Sequence, residues 1–330
     1  MKKYILGIDG GGTKTRAAIL DEGGHLLGTG IGGPSNYDDI GAKVAQKNIG
    51  ATVEAAWKSA GIRPQPFGAA FLGVAGVVSP TDRQIIHQIA MNLKLASPNK
   101  VGVDHDCRVA LAGGLTGRPG IVLIAGTGSS CFGMNEKGDG WRSGGWGELI
   151  SDEGSSYWLG VQAMIMTVRA YDGRGKATVL FDRVMQQLKL EHINEIMHHL
   201  YSKGMTRPEI AKLATIVIEA ARAGDQVAQQ FIQQAVDDLV DCVLAVAKYI
   251  NMLDACELVL VGGLMNAKET FVAPLKQAVT KRLPNCKVQY PELPPELGAC
   301  LLGLNILEIP LKQSVIDALH LSAGKIQKDE

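Results

Sequence analysis

The architecture follows from Tyr4-Ile5-Leu6-Gly7-Ile8-Asp9-Gly10-Gly11-Gly12-Thr13-Lys14-Thr15. Tyr4–Ile8 is a short apolar, β-compatible run closed by glycine, the signature of a buried strand. Thr13–Leu20 reads as a second strand. Asp21-Glu22-Gly23-Gly24 is a turn, and His25–Gly28 reads as a third strand. The same order returns about 115 residues later: Ile121–Ala125, then Gly126-Thr127-Gly128-Ser129, then Ser130–Met134, turn residues in 136–140, and Trp141 opening another strand. Strand, glycine loop, strand, turn and strand thus occur twice, which predicts two related domains.

Helical periodicity fills the intervals. It runs over Tyr37–Ala60 with Gly61 as C-terminal cap, over Thr81–Leu93, and over 106–113, ending at Gly113-Gly114. Gly68–Gly73 and Val101–Val103 read as strands. Long helical patterns cover 155–223 and 225–250, then a strand at Glu257–Val261, helices near 266–283 and 295–308, and a last strand near Val288. Alternating strands and helices predict an α/β fold. The boundary falls near Gly113–Arg118, giving domains 1–114 and 115–330, the last helices packing back on the first domain.

Composition narrows the class. The chain has 330 residues, with 33 basic and 33 acidic side chains, so its net charge is zero. That balance argues against a nucleic-acid or membrane-surface partner, since both need a basic excess. The 46% apolar residues allow a large core. Glycine is in excess at 40 residues, without a collagen period, which predicts backbone brought close to something. The six cysteines form no CxxC pair or metal-type spacing and read as small buried hydrophobes in a reducing compartment. Phe67–Val78, the longest apolar stretch, is too short to span a bilayer, and Asp9 ends the first apolar run too early for a signal peptide. A soluble cytoplasmic protein is expected.

Three glycine loops close buried strands. In Asp9–Thr15, the N–H groups of Gly10, Gly11 and Gly12 can approach phosphate oxygens, with Thr13, Lys14 and Thr15 adding donors. Asp9 at the strand end suits a magnesium ion held through water. The spacing is neither Walker A nor GxGxxG: Thr13 separates Lys14 from the last glycine, and a strand follows. A plain hairpin needs no triple glycine. Gly126-Thr127-Gly128-Ser129 makes an opposed second loop, able to clamp phosphates. Gly262-Gly263 either lets a nucleoside lie on the backbone or caps the next helix.

Carboxylates supply acid–base chemistry. Asp104-His105-Asp106 sits between a strand and a helix, at the edge where α/β sheets bind ligands. One aspartate serves as base and the other as helix cap, with His105 solvated. Gly144-Gly145-Trp146-Gly147 with Asp152-Glu153-Gly154-Ser155 can bind a polyol: carboxylates take vicinal hydroxyls and an aromatic ring takes the C–H face. Core packing for Trp146 and helix capping for Asp152 are the plainer readings. His198-His199 reads as surface, Met164 and Met166 as core, Asp237, Asp238 and Asp241 as a solvated helix face, and Lys325–Glu330 as a charged tail.

Taken together, Asp9–Thr15, Asp106–Leu111, Gly126–Ser129, Gly144–Gly147, Asp152–Trp158, Gly262-Gly263 and Leu297–Gly303 resemble the N-acetylglucosamine kinases and the wider BadF/BadG/BcrA/BcrD ATPase family, over residues 4 to about 305. The resemblance implies two ribonuclease-H-like, actin/hexokinase-type domains with an interdomain cleft that takes ATP, Mg2+ and a sugar. It makes Asp106 the catalytic base, with Asp104 second. It assigns phosphate binding to residues 10–15 and 126–129, and the nucleoside to Gly262 and Gly263. Sugar contacts map to Asn36, Thr127, Gly145, Trp146 and Asp152, with Glu153 behind them.

The implied activity is phosphorylation of the 6-hydroxyl of N-acetylglucosamine. A kinase of glucosamine, glucose or a muramic-type sugar is the alternative, and a non-catalytic nucleotide sensor the reading from another class. A homodimer is also implied. Tyr37, Val74-Ala75-Gly76 and Ser143 depart from the animal enzymes' pattern and bear on substrate choice. The dehydratase-activating branch is rejected, because its cluster-binding cysteines are missing.

Overall fold

The computed structural model describes residues 3–326; most of the predicted charged tail 325–330 lies outside them. Two compact units form: residues up to 119 together with those from 290 onward, and 120–289.

The first unit is built on a five-stranded sheet: β1 (Tyr4–Gly10), β2 (Thr15–Asp21), β3 (Leu26–Gly32), β4 (Ala69–Val74) and β5 (Val101–Asp104), in the order β3-β2-β1-β4-β5. β1 lies at the centre, antiparallel to β2 and parallel to β4. Its side chains alternate between two cores, as the period of a pleated strand requires. Leu6 and Ile8 join Ile49, Val53 and Trp57 of helix α2 (Ala42–Ala60) and Ile86 of α3 (Pro80–Asn92). Ile5, with Ala18 and Leu20 of β2, meets Leu297, Leu301 and Leu304 of helix Pro295–Ile306 and Leu319 of helix Gln313–Ile326. These contacts place the last helices in the first unit, so the second unit stops at Gln289 rather than running to residue 330.

The second unit repeats the plan with β6 (Gly120–Ala125), β7 (Ser129–Met134), β8 (Gly140–Gly144), β9 (Cys256–Val261) and β10 (Cys286–Gln289), in the order β10-β9-β6-β7-β8. Central β6 is again antiparallel to its successor and parallel to the strand on its other side. A large core joins the sheet to helices within 156–283, the longest being Gln226–Tyr249.

One helix expectation is corrected. The pattern over 37–60 is split by Gly41, whose φ of +81° ends the short α1 (Tyr37–Ile40) before α2 begins. Helix α4 (Asp106–Gly114) ends at Gly113-Gly114, as expected. Gly113 sits at a close helix crossing: a Cβ at Gly298 would fall 2.1 Å from the Val109 carbonyl oxygen and 2.4 Å from the Gly113 nitrogen. Gly298→Ala must push the two helices apart. It is expected to lower stability in urea unfolding by about 2 kcal/mol. Gly324→Ala, on a helix with open space at its Cβ, is expected to be neutral or to stabilise by up to about 1 kcal/mol.

Candidate active site

In the first unit, β1, β4 and β5 run parallel and end at Gly10, Val74 and Asp104. The glycine loop leaves β1 there and α4 leaves β5 two residues later. The loop is held from behind. The Gly10 carbonyl accepts from the Ala75 amide at 2.7 Å, and the Gly11 carbonyl from Ser35 at 3.0 Å and Asn36 at 3.3 Å. Gly12, Thr13 and Lys14 are exposed at its tip. Thr15 is not: its fully buried hydroxyl bonds to the Gly33 carbonyl at 2.7 Å and to Ser35 Oγ at 2.9 Å. It braces β2 instead of serving the loop, which corrects its assignment as a phosphate donor.

Asp9 closes β1. Withdrawal of its carboxylate from water, reinforced by the negative charges of Glu296 and Asp106, pushes it up to about 8, against the opposing pull of Arg16 and Lys14. An oxygen-donor site so rich in negative charge fits a hard divalent cation.

The aspartate pair separates by partner. Asp104 Oδ1 accepts from Arg83 Nη2 at 2.8 Å and from the His105 amide at 2.9 Å. Asp106 Oδ1 accepts the Cys107 amide at 2.9 Å in the first turn of α4. Neither aspartate caps that helix. His105 does, its Nδ1 accepting from the Arg108 amide at 3.2 Å. His105 is therefore buried, not a solvated loop residue.

Asn36 is buried and caps α1, and its Nδ2 donates to Asp39 Oδ2 at 2.7 Å. A Cβ on Gly76 would lie 2.4 Å from Asn36 Oδ1. The neighbouring Tyr37 hydroxyl donates to Asp82 Oδ1 at 2.6 Å. The other Asp82 oxygen takes the Val78 and Ser79 amides as part of the α3 capping box. Burial alone would raise Asp82, but the bonds from Tyr37, Val78 and Ser79 bring it down to about 2. Burial and the Asp82 bond together push the Tyr37 phenol well up.

In the second unit, Gly126–Gly128 joins β6 to β7, with the Gly126 amide bonded to the Gly128 carbonyl at 2.9 Å. Helix α5 (Ser156–Tyr171) anchors the loop: the Ser156 amide donates to Gly126 O at 2.9 Å and the Tyr157 amide to Thr127 O at 3.2 Å. Ser129, like Thr15, is structural, its hydroxyl donating to the Glu153 carbonyl at 2.7 Å. Gly262, at φ +112°, approaches β6 so closely that a Cβ would fall 2.3 Å from the Ala125 carbonyl oxygen. Gly263 faces open space. The 126–128 and 262–263 loops are thus neighbours.

Asp152 is 3% exposed and sits at φ +64°, a left-handed conformation that is uncommon outside glycine. Its Oδ1 accepts the Ser129 amide at 3.4 Å, and its Oδ2 is paired with Arg207. Burial raises its carboxyl, Arg207 and the Ser129 amide lower it, and Glu148 and Glu153 raise it, with a net upward result. Gly145, at φ +69°, turns the chain beside Ser130. Trp146 is 65% exposed, not core, with the Arg142 guanidinium 5.0 Å from its ring centroid.

Sequence reasoning missed Asp82 and Arg207. For Arg207 the signal was present: Thr206-Arg207-Pro208-Glu209 is a capping box with proline in the first turn. It was hidden inside a pattern read as continuous helix.

Two sheets of the same strand order, each ending its central strand in a glycine loop backed by main-chain bonds, define the actin/hexokinase class of nucleotide-dependent proteins. The chain belongs to the BadF/BadG/BcrA/BcrD ATPase family, whose model matches residues 6–303. It is 31% identical over 302 residues, 91% of this chain and 98% of the relative, to an N-acetylmuramic acid/N-acetylglucosamine kinase of Clostridium acetobutylicum. It is 29% identical over 316 residues to an N-acetyl-D-glucosamine kinase of Dictyostelium discoideum, covering 92% of this chain and 98% of the relative. The crystal structure of a protein assigned as an N-acetylglucosamine kinase, from Chromobacterium violaceum, superposes with TM-score 0.75 at 28% identity, over 92% of this chain and 99% of that one.

The Tyr37–Asp82 bond ties the Asn36 segment to the start of α3. Tyr37→Phe is expected to cost about 1–2 kcal/mol in urea unfolding, as for a hydrogen bond to a charged acceptor. Asp82→Ala, which also removes the capping box, is expected to cost more.

Proposed function

We propose that the chain is an ATP-dependent amino-sugar kinase that transfers the γ-phosphoryl group to the 6-hydroxyl of N-acetylglucosamine. The names of its relatives support the substrate class. The observation that carries the chemistry is the division of labour between the two aspartates. Asp104 is spent on Arg83. Asp106 has its carboxylate oriented by the Cys107 amide at the start of α4, close enough to Asp9 at the end of β1 to raise it.

In this reading Asp106 takes the hydroxyl proton as the sugar oxygen bonds to the γ-phosphorus, and the bond to ADP breaks. The backbone of Gly10–Gly12 with Thr13 and Lys14, and that of Gly126–Gly128, binds phosphate oxygens, and charge developing there meets fixed N–H dipoles. Gly263 offers the open surface for the nucleoside. Asn36, Thr127, Gly145, Trp146 and Asp152 bind the sugar: the carboxylate and amides take its hydroxyls and the exposed indole takes its C–H face. Asp9 would hold Mg2+ through water, and the bound ion would neutralise phosphate charge.

Six free thiols, five of them buried, support a cytoplasmic location, and no helix among the described residues is long and apolar enough to cross a membrane. A homodimer is carried over from the resemblance and is tested by light scattering.

The test is ADP release across N-acetylglucosamine, N-acetylmuramic acid, glucosamine and glucose. Highest kcat/KM for an acetamido sugar is expected. A preference for glucose overturns the amino-sugar reading, and no sugar-stimulated release overturns the kinase. Asp106→Asn is expected to keep ADP binding while kcat falls at least about 100-fold. Near-normal turnover in that variant removes Asp106 as the base.

A further inference from the structure

Arg207 reaches the second glycine loop from a segment the site reading did not include. It opens helix Arg207–Ala211, whose backbone is fixed by the Thr206–Glu209 capping box and by packing on α5. There a Cβ at Gly160 would fall 2.1 Å from the Ile210 carbonyl oxygen. From this base the guanidinium pairs through Nη2 with Asp152 and lies with Nε 3.5 Å from Glu148. It also abuts the loop: a Cβ at Gly128 would be 2.6 Å from Nη2 and 2.8 Å from Asp152 Oδ2.

We infer that Arg207 is a positioning residue for the sugar site, fixing the Asp152 carboxylate in the orientation that accepts a sugar hydroxyl; this rests on the reading of Asp152 as a sugar ligand. Three observations carry it. Asp152 stands at positive φ, a conformation aspartate tolerates, with its carbonyl accepting the Ser155 amide at 3.1 Å, so its carboxylate leaves a fixed turn. The Ser129 amide's bond to its carboxylate is long at 3.4 Å, so Arg207 is the stronger constraint on that carboxylate. A carboxylate has about four acceptor positions, and Arg207 with the Ser129 amide occupies two, leaving capacity for a ligand hydroxyl. The guanidinium also stands 3.5 Å from Glu148 through Nε, a charge contact without a hydrogen bond, and its planar shape is not reproduced by a lysine point charge.

The charges facing Asp152 make the role readable. Glu148 and Glu153 disfavour its ionised form, and the Arg207 guanidinium favours it. Tyr157, itself raised by burial, stands in the same field. Ionised Asp152 accepts a hydrogen bond from a sugar hydroxyl more strongly than the protonated acid does, so binding weakens as pH falls through its titration. Removing Arg207 moves that loss to higher pH.

The experiment compares Arg207→Met, Arg207→Lys and Asp152→Asn in the full-length chain, measuring kcat and both KM values from acid to neutral pH. For Arg207→Met, a rise of about tenfold or more in KM for the sugar is expected, with KM for ATP and kcat at saturating sugar within about threefold. The acidic limb of kcat/KM for the sugar should move upward. Arg207→Lys should restore the limb but only part of the affinity, and serves alone if the methionine variant does not fold. An unchanged sugar KM in both Arg207 variants overturns the inference. So does an equal loss in kcat and both KM values without movement of the limb, the mark of a merely structural arginine. Asp152→Asn should raise the sugar KM and abolish the limb. If it leaves sugar KM unchanged, the sugar-ligand reading of Asp152 falls and the inference with it, whereas a defect in Asp152→Asn with none in Arg207→Met sinks the inference alone.

Discussion

Everything in either unit hangs on a central strand paired in opposite senses on its two sides. β1 runs parallel to β4 and antiparallel to β2; β6 does the same with β9 and β7. The parallel side gathers strand ends on one edge, where ligands bind in α/β sheets. The antiparallel side forces the chain to reverse at once on that edge, through a few residues that cannot form ladder bonds. The structure satisfies their carbonyls from behind, through Ser35, Asn36 and Ala75 in one unit and through the first amides of α5 in the other. Thr15 and Ser129, the first residues of the returning strands, spend their hydroxyls on the same bracing. What remains on the outward side is backbone with donors, which suits phosphate.

Glycine does a second job here. The crossing of helix Pro295–Ile306 with α4 needs bare backbone on both sides. The same helix crosses β1 at Gly7, where a Cβ would fall 2.2 Å from the Glu296 carbonyl oxygen. That approach brings buried Glu296 close enough to raise Asp9. Packing and electrostatics of the first unit are therefore one arrangement.

How far the sequence could be read depends on the range of the forces involved. Tyr4–Ile8, Ile121–Ala125 and the repeated hairpins were legible because strand burial and turn chemistry are local. The role of Gly113 was not, because the reason for a glycine inside α4 lies in a helix some 180 residues away. His105 caps α4 because the helix starts at Asp106, which puts the cap position between the two aspartates, and Asp104 takes Arg83, a partner no local pattern announces. Thr15 and Ser129 carried the right chemistry for phosphate but point it into the fold. Arg207 lay within a helical pattern read as unbroken, and its value comes from Asp152, which is 55 residues earlier.

The two units meet the cost of a buried carboxylate in different ways. Asp152 has a resident guanidinium beside it and an amide donor, both opposing the effect of burial. Asp9 has other carboxylates as its strongest charged neighbours, with Arg16 and Lys14 acting more weakly. Asp9 is raised in the folded chain, so the sign is the reverse of the usual carboxylate. The unfolded chain ionises it near the ordinary value of 3.8, while the folded chain holds its proton to about 8. Stability linked to this group is complete below the lower value and declines as pH rises between the two. A divalent cation at Asp9 would reverse that decline, since it favours the charged form only in the folded state. In the proposed reading, the first unit's acid, Asp9, is one that a cation would complete, whereas the second unit's, Asp152, is already paired with Arg207. That asymmetry matches the ligands proposed for them: a metal–nucleotide that brings its own positive charge, and a neutral sugar that brings none.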